Sequence, residues 1–109
     1  MKPFAITVMR APYSTSHPTP WTNEAALMSQ AEVVCDIYNL QIDPSDVLAV
    51  LLIDPVAGTT TDVTSEVADQ VMELYEAADD FPTPSTRKFL HKFATDCSWL
   101  VAKEDEYWK

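Results

Sequence analysis

Residues 47–53, VLAVLLI, are seven consecutive apolar side chains fenced by Asp43-Pro44 on one side and Asp54-Pro55 on the other. A run that is apolar on every side has to be buried, so the rest of the chain must be arranged around it. Periodicity does not separate a buried helix from a buried strand in so short a run. The residues just before it favour a helix. Asp43 is placed as an N-cap, Pro44 as the first helical residue and Asp46 as a capping-box-like acid, with Ile42 and Val47 as a hydrophobic staple. The expectation is a short helix that ends before Asp54-Pro55. Were the run a strand instead, its partner would be the β-rich stretch at 4–9, and the fold would be α+β with strands near 4–9 and 47–53.

Three further helices are expected around it. The first is capped by Thr22 and runs to about Leu40, with Leu27, Ala31, Val34 and Tyr38 as its buried stripe, widened by Val33 and Ile37. The third follows the turn VAGTTT, with Thr61 or Asp62 as cap and Val63, Val67, Val71, Leu74, Tyr75 and Ala78 facing inward. After the break DDFPTPST, Thr83 and Pro84 start a fourth helix to about Lys103, which buries Phe89, Leu90, Phe93, Cys97, Leu100 and Val101. Residues 11–20 hold three prolines with Ser and Thr, so they read as an extended arm or loop with His17 in solvent. The predicted fold is mainly α: a compact four-helix domain with an N-terminal extended or strand segment. One domain spans 1–109, with an arm at 1–21, a helical core at 22–103 and a charged tail at 104–109.

Charge sets the functional expectation. The 109 residues carry 17 Asp and Glu against 7 Lys and Arg, a formal net charge of −10. Between Arg10 and Arg87 no Lys or Arg occurs, and that interval holds most of the acids. Within it, Asp62, Glu66, Asp69, Glu73, Glu76 and Asp80 alternate spacings of four and three, which on a helix lines them along one side, opposite the apolar face. Such neighbours repel by a few tenths of a kcal/mol per pair. Asp62 and Glu66 would gain from the helix dipole, whereas Glu76, Asp79 and Asp80 would cost stability. On one helix the row would extend about 27 Å, with charges about 5 Å apart against 3.4 Å per phosphate on a DNA strand.

The function expected from this pattern is a small acidic inhibitor or decoy. It would occupy the basic surface of a nucleic-acid-binding protein, as small phage or mobile-element proteins do by analogy. Its partner-binding residues would be Asp62, Glu66, Asp69, Glu73, Glu76, Asp79 and Asp80, extended by Glu32 and Asp36. The competing expectation is a helical adaptor or accessory subunit that docks through apolar surface, conceivably as a homodimer, with its acids merely solvated.

Several classes are disfavoured. A net anion is repelled by nucleic acid and by anionic membranes, so neither is expected as a direct partner. A single glycine, Gly58, leaves no phosphate-cradling loop. Cys35 and Cys97 are expected as buried free thiols, and no CxxC or HxxxH spacing points to a metal. Arg87, Lys88, His91 and Lys92 are expected to pair with the acids of the third helix, or else to form a separate patch. No nucleophile stands beside His91, so no enzyme and no cofactor are expected. Trp99 is expected in the core or at its edge and Trp108 at an interface. The N-terminal apolar run is too short for a leader or a span, which leads to the expectation of a cytoplasmic protein.

Overall fold

The structure is a computed structural model that describes residues 2–10, 20–22 and 28–107. Among these, four strands form one antiparallel sheet: β1 (Phe4–Arg10), β2 (Pro20–Thr22), β3 (Val47–Asp54) and β4 (Thr59–Asp62), in the order β2-β1-β3-β4. The described residues also form four α-helices: α1 (Gln30–Tyr38), α2 (Thr64–Ala78), α3 (Pro84–Phe93) and α4 (Ser98–Tyr107). The fold is therefore α+β. It is not the mainly α four-helix domain expected, and the strand alternative for 4–9 and 47–53 is the one realised.

The cap chemistry at Asp43 is real but serves a shorter element. Asp43 Oδ1 accepts from the Ser45 amide at 3.0 Å, and Pro44–Asp46 make one 3-10 turn. From Val47 the chain is extended. Its pairing with β1 runs from Phe4 opposite Ile53 to Met9 opposite Val47, with a bulge between Val8 and Met9. A local cap could not decide this, because the backbone partner of 47–53 lies about forty residues earlier in the chain. β4 was not expected at all. It pairs Leu51–Asp54 with Thr59–Asp62 through a hairpin in which Asp54 Oδ1 accepts from the amides of Val56 and Ala57. Gly58, at φ 68°, supplies the left-handed residue of that turn.

One face of the sheet meets the helices. Ala5, Val47 and Val50 join a buried cluster with Val33 and Ile37 of α1, Val67 and Val71 of α2, Phe89 and Leu90 of α3 and Leu100 of α4. Met9, Leu52 and Trp99 pack against its margin. The alternate strand positions Phe4, Ile6, Val8, Ala49, Leu51 and Ile53 are half-buried and lie outside that cluster. Both faces of β1 and β3 are thus apolar, which is why 47–53 reads as an unbroken hydrophobic run.

The helices also differ from expectation at their ends. α1 starts at Gln30, not after Thr22, which lies in β2; Leu27 falls outside the described residues. Ser29 caps it in a capping box with Glu32, a Ser-x-x-Glu signal legible in the sequence. The expected fourth helix is two helices. Ala94 leaves α3 in an extended conformation, and Asp96 Oδ1 accepts from Ser98 N and Oγ where α4 begins. Val101 is consequently exposed instead of buried. His17 and Trp108 lie outside the described residues.

Candidate interaction surface

α2 carries the centre of the acidic pattern. Thr64, Val67, Ala68, Val71, Met72 and Tyr75 form its buried side, and Glu66, Glu73 and Glu76 are exposed on the other. Leu74 and Ala78, expected inside, are exposed. Glu66 to Glu76 is ten residue steps, so the helical part of the row measures about 15 Å. The full six-acid row does not sit on one helix. Asp62 is the last residue of β4, Asp79 is the left-handed residue after α2 at φ 50°, and Asp80 follows it.

Several of these acids are engaged within the chain. Asp62 Oδ1 accepts from the amide of Thr64 at 2.9 Å and from its hydroxyl. These bonds, the hydroxyl's first, hold its carboxyl below the ordinary aspartate range. Asp69 accepts from Thr95 twice, from the amide at Oδ1 and from the hydroxyl at Oδ2, both at 2.8 Å, and so ties α2 to the α3–α4 junction. Asp79 pairs with Lys103, which is the main reason the ammonium pKa is raised. Asp80 accepts from the adjacent Phe81 amide. Glu66 accepts from Gln30 Nε2 at 3.3 Å, and that amide also donates to Gln70 Oε1 at 3.0 Å, bridging α1 and α2. The carboxylates of Glu73 and Glu76 have no hydrogen bond or ion pair among the described residues. On α1, Glu32 is exposed and completes the capping box, while Asp36 is half-buried.

The cations lie elsewhere. Arg10, Lys88 and Lys92 line one hollow of about 210 Å³ together with Ser45, Asp46 and Phe89. Arg87 donates to the Pro82 carbonyl at 2.8 Å and lies 4.6 Å over the Phe81 ring. His91 Nε2 donates to Glu104 of α4. Among the described residues, none of Arg87, Lys88, His91 and Lys92 forms a salt bridge with an α2 acid, so the expected pairing across the Phe81–Thr83 turn is not made. Lys103 of α4 supplies the bridge to Asp79 instead.

Sequence reasoning missed a second feature of the same surface. A groove of about 430 Å³ runs between α1 and α2, lined by Ala31, Val34 and Cys35 on one side and by Gln70, Glu73, Leu74 and Ala77 on the other. Cys35 was expected buried and is exposed, and Cys97 is half-buried; both are free thiols. The available signal was angular. Leu74 stands about 100° from Tyr75 on the helical wheel, at the border of the inward face.

No group of three His, Cys, Asp or Glu among the described residues is arranged to hold a metal ion. No helix among them is long and apolar enough to cross a membrane. Comparison of the chain with protein-family models, curated proteins and solved structures finds no match in any of the three.

Proposed function

We propose that this chain is a binding protein that engages the basic surface of a nucleic-acid-binding protein through the acids of α2 and its flanks, and inhibits it by taking the place of nucleic acid. The observation that carries the reading is charge segregation. α1, β3, β4 and α2 contain no Lys or Arg, while Arg10, Lys88 and Lys92 gather around one hollow. The Glu73 and Glu76 carboxylates remain unpaired among the described residues, and Glu76 lies in the last turn of α2, where a carboxylate is unfavourable. A basic groove that closes on them would release its own counterions, as it does on a phosphate backbone. The acids split into two sets. Asp62, Asp69 and Asp79 are engaged by Thr64, Thr95 and Lys103, and Glu66, Glu73, Glu76 and Asp80 face outward with weaker ties or none.

Reversing Glu73, Glu76 and Asp80 to Lys tests this. The variant is expected to stay folded, because these residues hold no other element, and to melt no lower than the parent, since cations suit a helix C-terminus. Proteins captured from a lysate at low salt by the parent chain should bind nucleic acid, should be displaced by DNA or by added salt, and should not be retained by the variant. Retention unchanged by the reversal rejects the reading. Asp69→Ala serves as the contrast, with lower stability expected and capture intact.

A second reading, an adaptor joined to a second copy of itself through apolar surface, draws on the outer sheet face. Phe4, Ile6, Val8, Ala49, Leu51 and Ile53 present no charge there, so two copies could meet without bringing their acidic helices together. Sedimentation at rising concentration distinguishes the two readings. A dimer that persists in high salt and dissociates on Leu51→Lys supports the second.

A further inference from the structure

We propose that the groove between α1 and α2 receives one face of a basic amphipathic helix from the partner. This deepens the reading above and rests on it for the sign of the partner's charge.

The groove has the form of a helix seat. α1 and α2 run side by side in the same direction, tied at one end by Gln30 to Glu66 and Gln70 and further along by Tyr38 against Tyr75, whose ring centres are 4.6 Å apart. A third helix packs best across such a pair where small side chains let the axes approach to about 8–10 Å. Ala31, Cys35 and Ala77 supply that low floor. Leu74 rises from it as the large apolar contact and is 36% exposed. From Gln70 to Ala77 the seat extends about 10 Å, enough for two turns of a visiting helix.

Charge selects the occupant. Glu73 lines the groove, Glu66 lies two turns before it along α2, and neither α1 nor α2 carries a Lys or Arg. A helix with an apolar stripe bordered by Lys or Arg would satisfy both the floor and the rim. A second copy of this chain is a poor occupant, because it would bring its own carboxylates and a net −10 to the same rim. Nucleic acid is a worse one, since the floor is apolar and the rim anionic.

The test uses the full chain and three synthetic probes. The first is a peptide of about 18 residues, long enough to form a helix, built of Leu and Lys with Leu at helical spacing. The second has the same composition scrambled so that no apolar stripe forms. The third is polylysine. The patterned peptide is expected to bind the parent chain at least about tenfold more tightly than the scrambled one, or roughly 1.4 kcal/mol. Leu74→Ser should remove that advantage while leaving polylysine binding unchanged, and Leu74→Asp should remove it without weakening polylysine binding. Alkylation of Cys35 should do the same, and Glu66→Gln with Glu73→Gln should weaken the patterned peptide and flatten its salt dependence.

Equal binding of patterned and scrambled peptides, or a patterned peptide indifferent to Leu74, overturns the groove while leaving the acidic-surface reading standing. Failure of polylysine to bind as well brings down both. Affinity that survives the Glu66 and Glu73 changes overturns the basic character of the occupant. A dimer of the parent chain abolished by Leu74→Asp assigns the groove to a second copy and overturns the proposal.

Discussion

Thr64 joins three elements with one hydroxyl. Its Oγ1 accepts from the buried Val50 amide of β3 at 2.9 Å and donates to Asp62 at the end of β4, while its own backbone opens α2. Thr64→Val keeps the shape but leaves the Val50 amide without an acceptor, an expected loss of about 1–3 kcal/mol in urea unfolding. The second member of the device titrates. The folded Asp62 pKa lies below its unfolded value, so its contribution is present above the unfolded pKa and is lost as pH falls through the folded one. The stability gap between the parent and Asp62→Asn is therefore expected at neutral pH, and it should close as pH falls below the ordinary aspartate range and through the folded pKa. A gap that persists in acid would show that the bond to Thr64 does not depend on the charge. At this scale the sequence is legible where donor and acceptor are close: Ser29 with Glu32, Asp43 with Ser45, Thr83 with Thr86. Asp69 with Thr95 was not legible, because 26 residues separate them and only the packing of α2 against α3 brings them together.

At the scale of elements, the ends of α1 and α2 share one construction. After α1, Gln41 N donates to Asp36 O and Leu40 N to Ile37 O; after α2, Asp80 N donates to Tyr75 O and Asp79 N to Glu76 O. Both are Schellman closures, which place one residue in the left-handed region where glycine is favoured. The only glycine of the chain is used in the β3–β4 turn, so Leu40 at φ 62° and Asp79 at φ 50° take these positions instead. Leu40 is also 48% exposed, so its side chain returns little of that strain. Leu40→Gly is expected to stabilise the protein by about 1 kcal/mol, which a thermal melt would register as a rise of about 4–8 °C; a fall would mean that the Leu40 side chain contributes packing that outweighs its backbone. Helix existence was legible from periodicity for α2 and from the Thr83-Pro84 start for α3. The strand at 47–53 was not, since its seven apolar residues suit either element and the deciding partner, Phe4–Met9, is remote. The break between α3 and α4 was hidden too, because Phe93, Cys97 and Leu100 keep helical spacing across it.

For the whole molecule, the Lys- and Arg-free interval was legible without any structure, and it is the basis of the functional reading. What it could not reveal was the division of labour among its carboxylates, since Asp69 and Asp79 act through Thr95 and Lys103, which only the fold brings near. A net charge of −10 on this small body is self-repulsive, and moderate salt screens it. Added NaCl is therefore expected to raise the melting temperature while it weakens partner binding, two opposite slopes from one set of charges. A melting temperature that falls with salt would indicate that the ion pairs of Lys103 outweigh the repulsion. The placement of the cations has a kinetic consequence as well. Arg10, Lys88 and Lys92 gather around one hollow, whereas α1 and α2 carry acids and no Lys or Arg, so the two signs of charge are set apart on the described residues. Such a separation would give the molecule an electric moment, and a positively charged target of the kind proposed would turn it during approach, before any atoms touch. Fewer collisions are then wasted in wrong orientations, and the rate of productive encounter should fall with ionic strength more steeply than for a protein of the same net charge spread evenly.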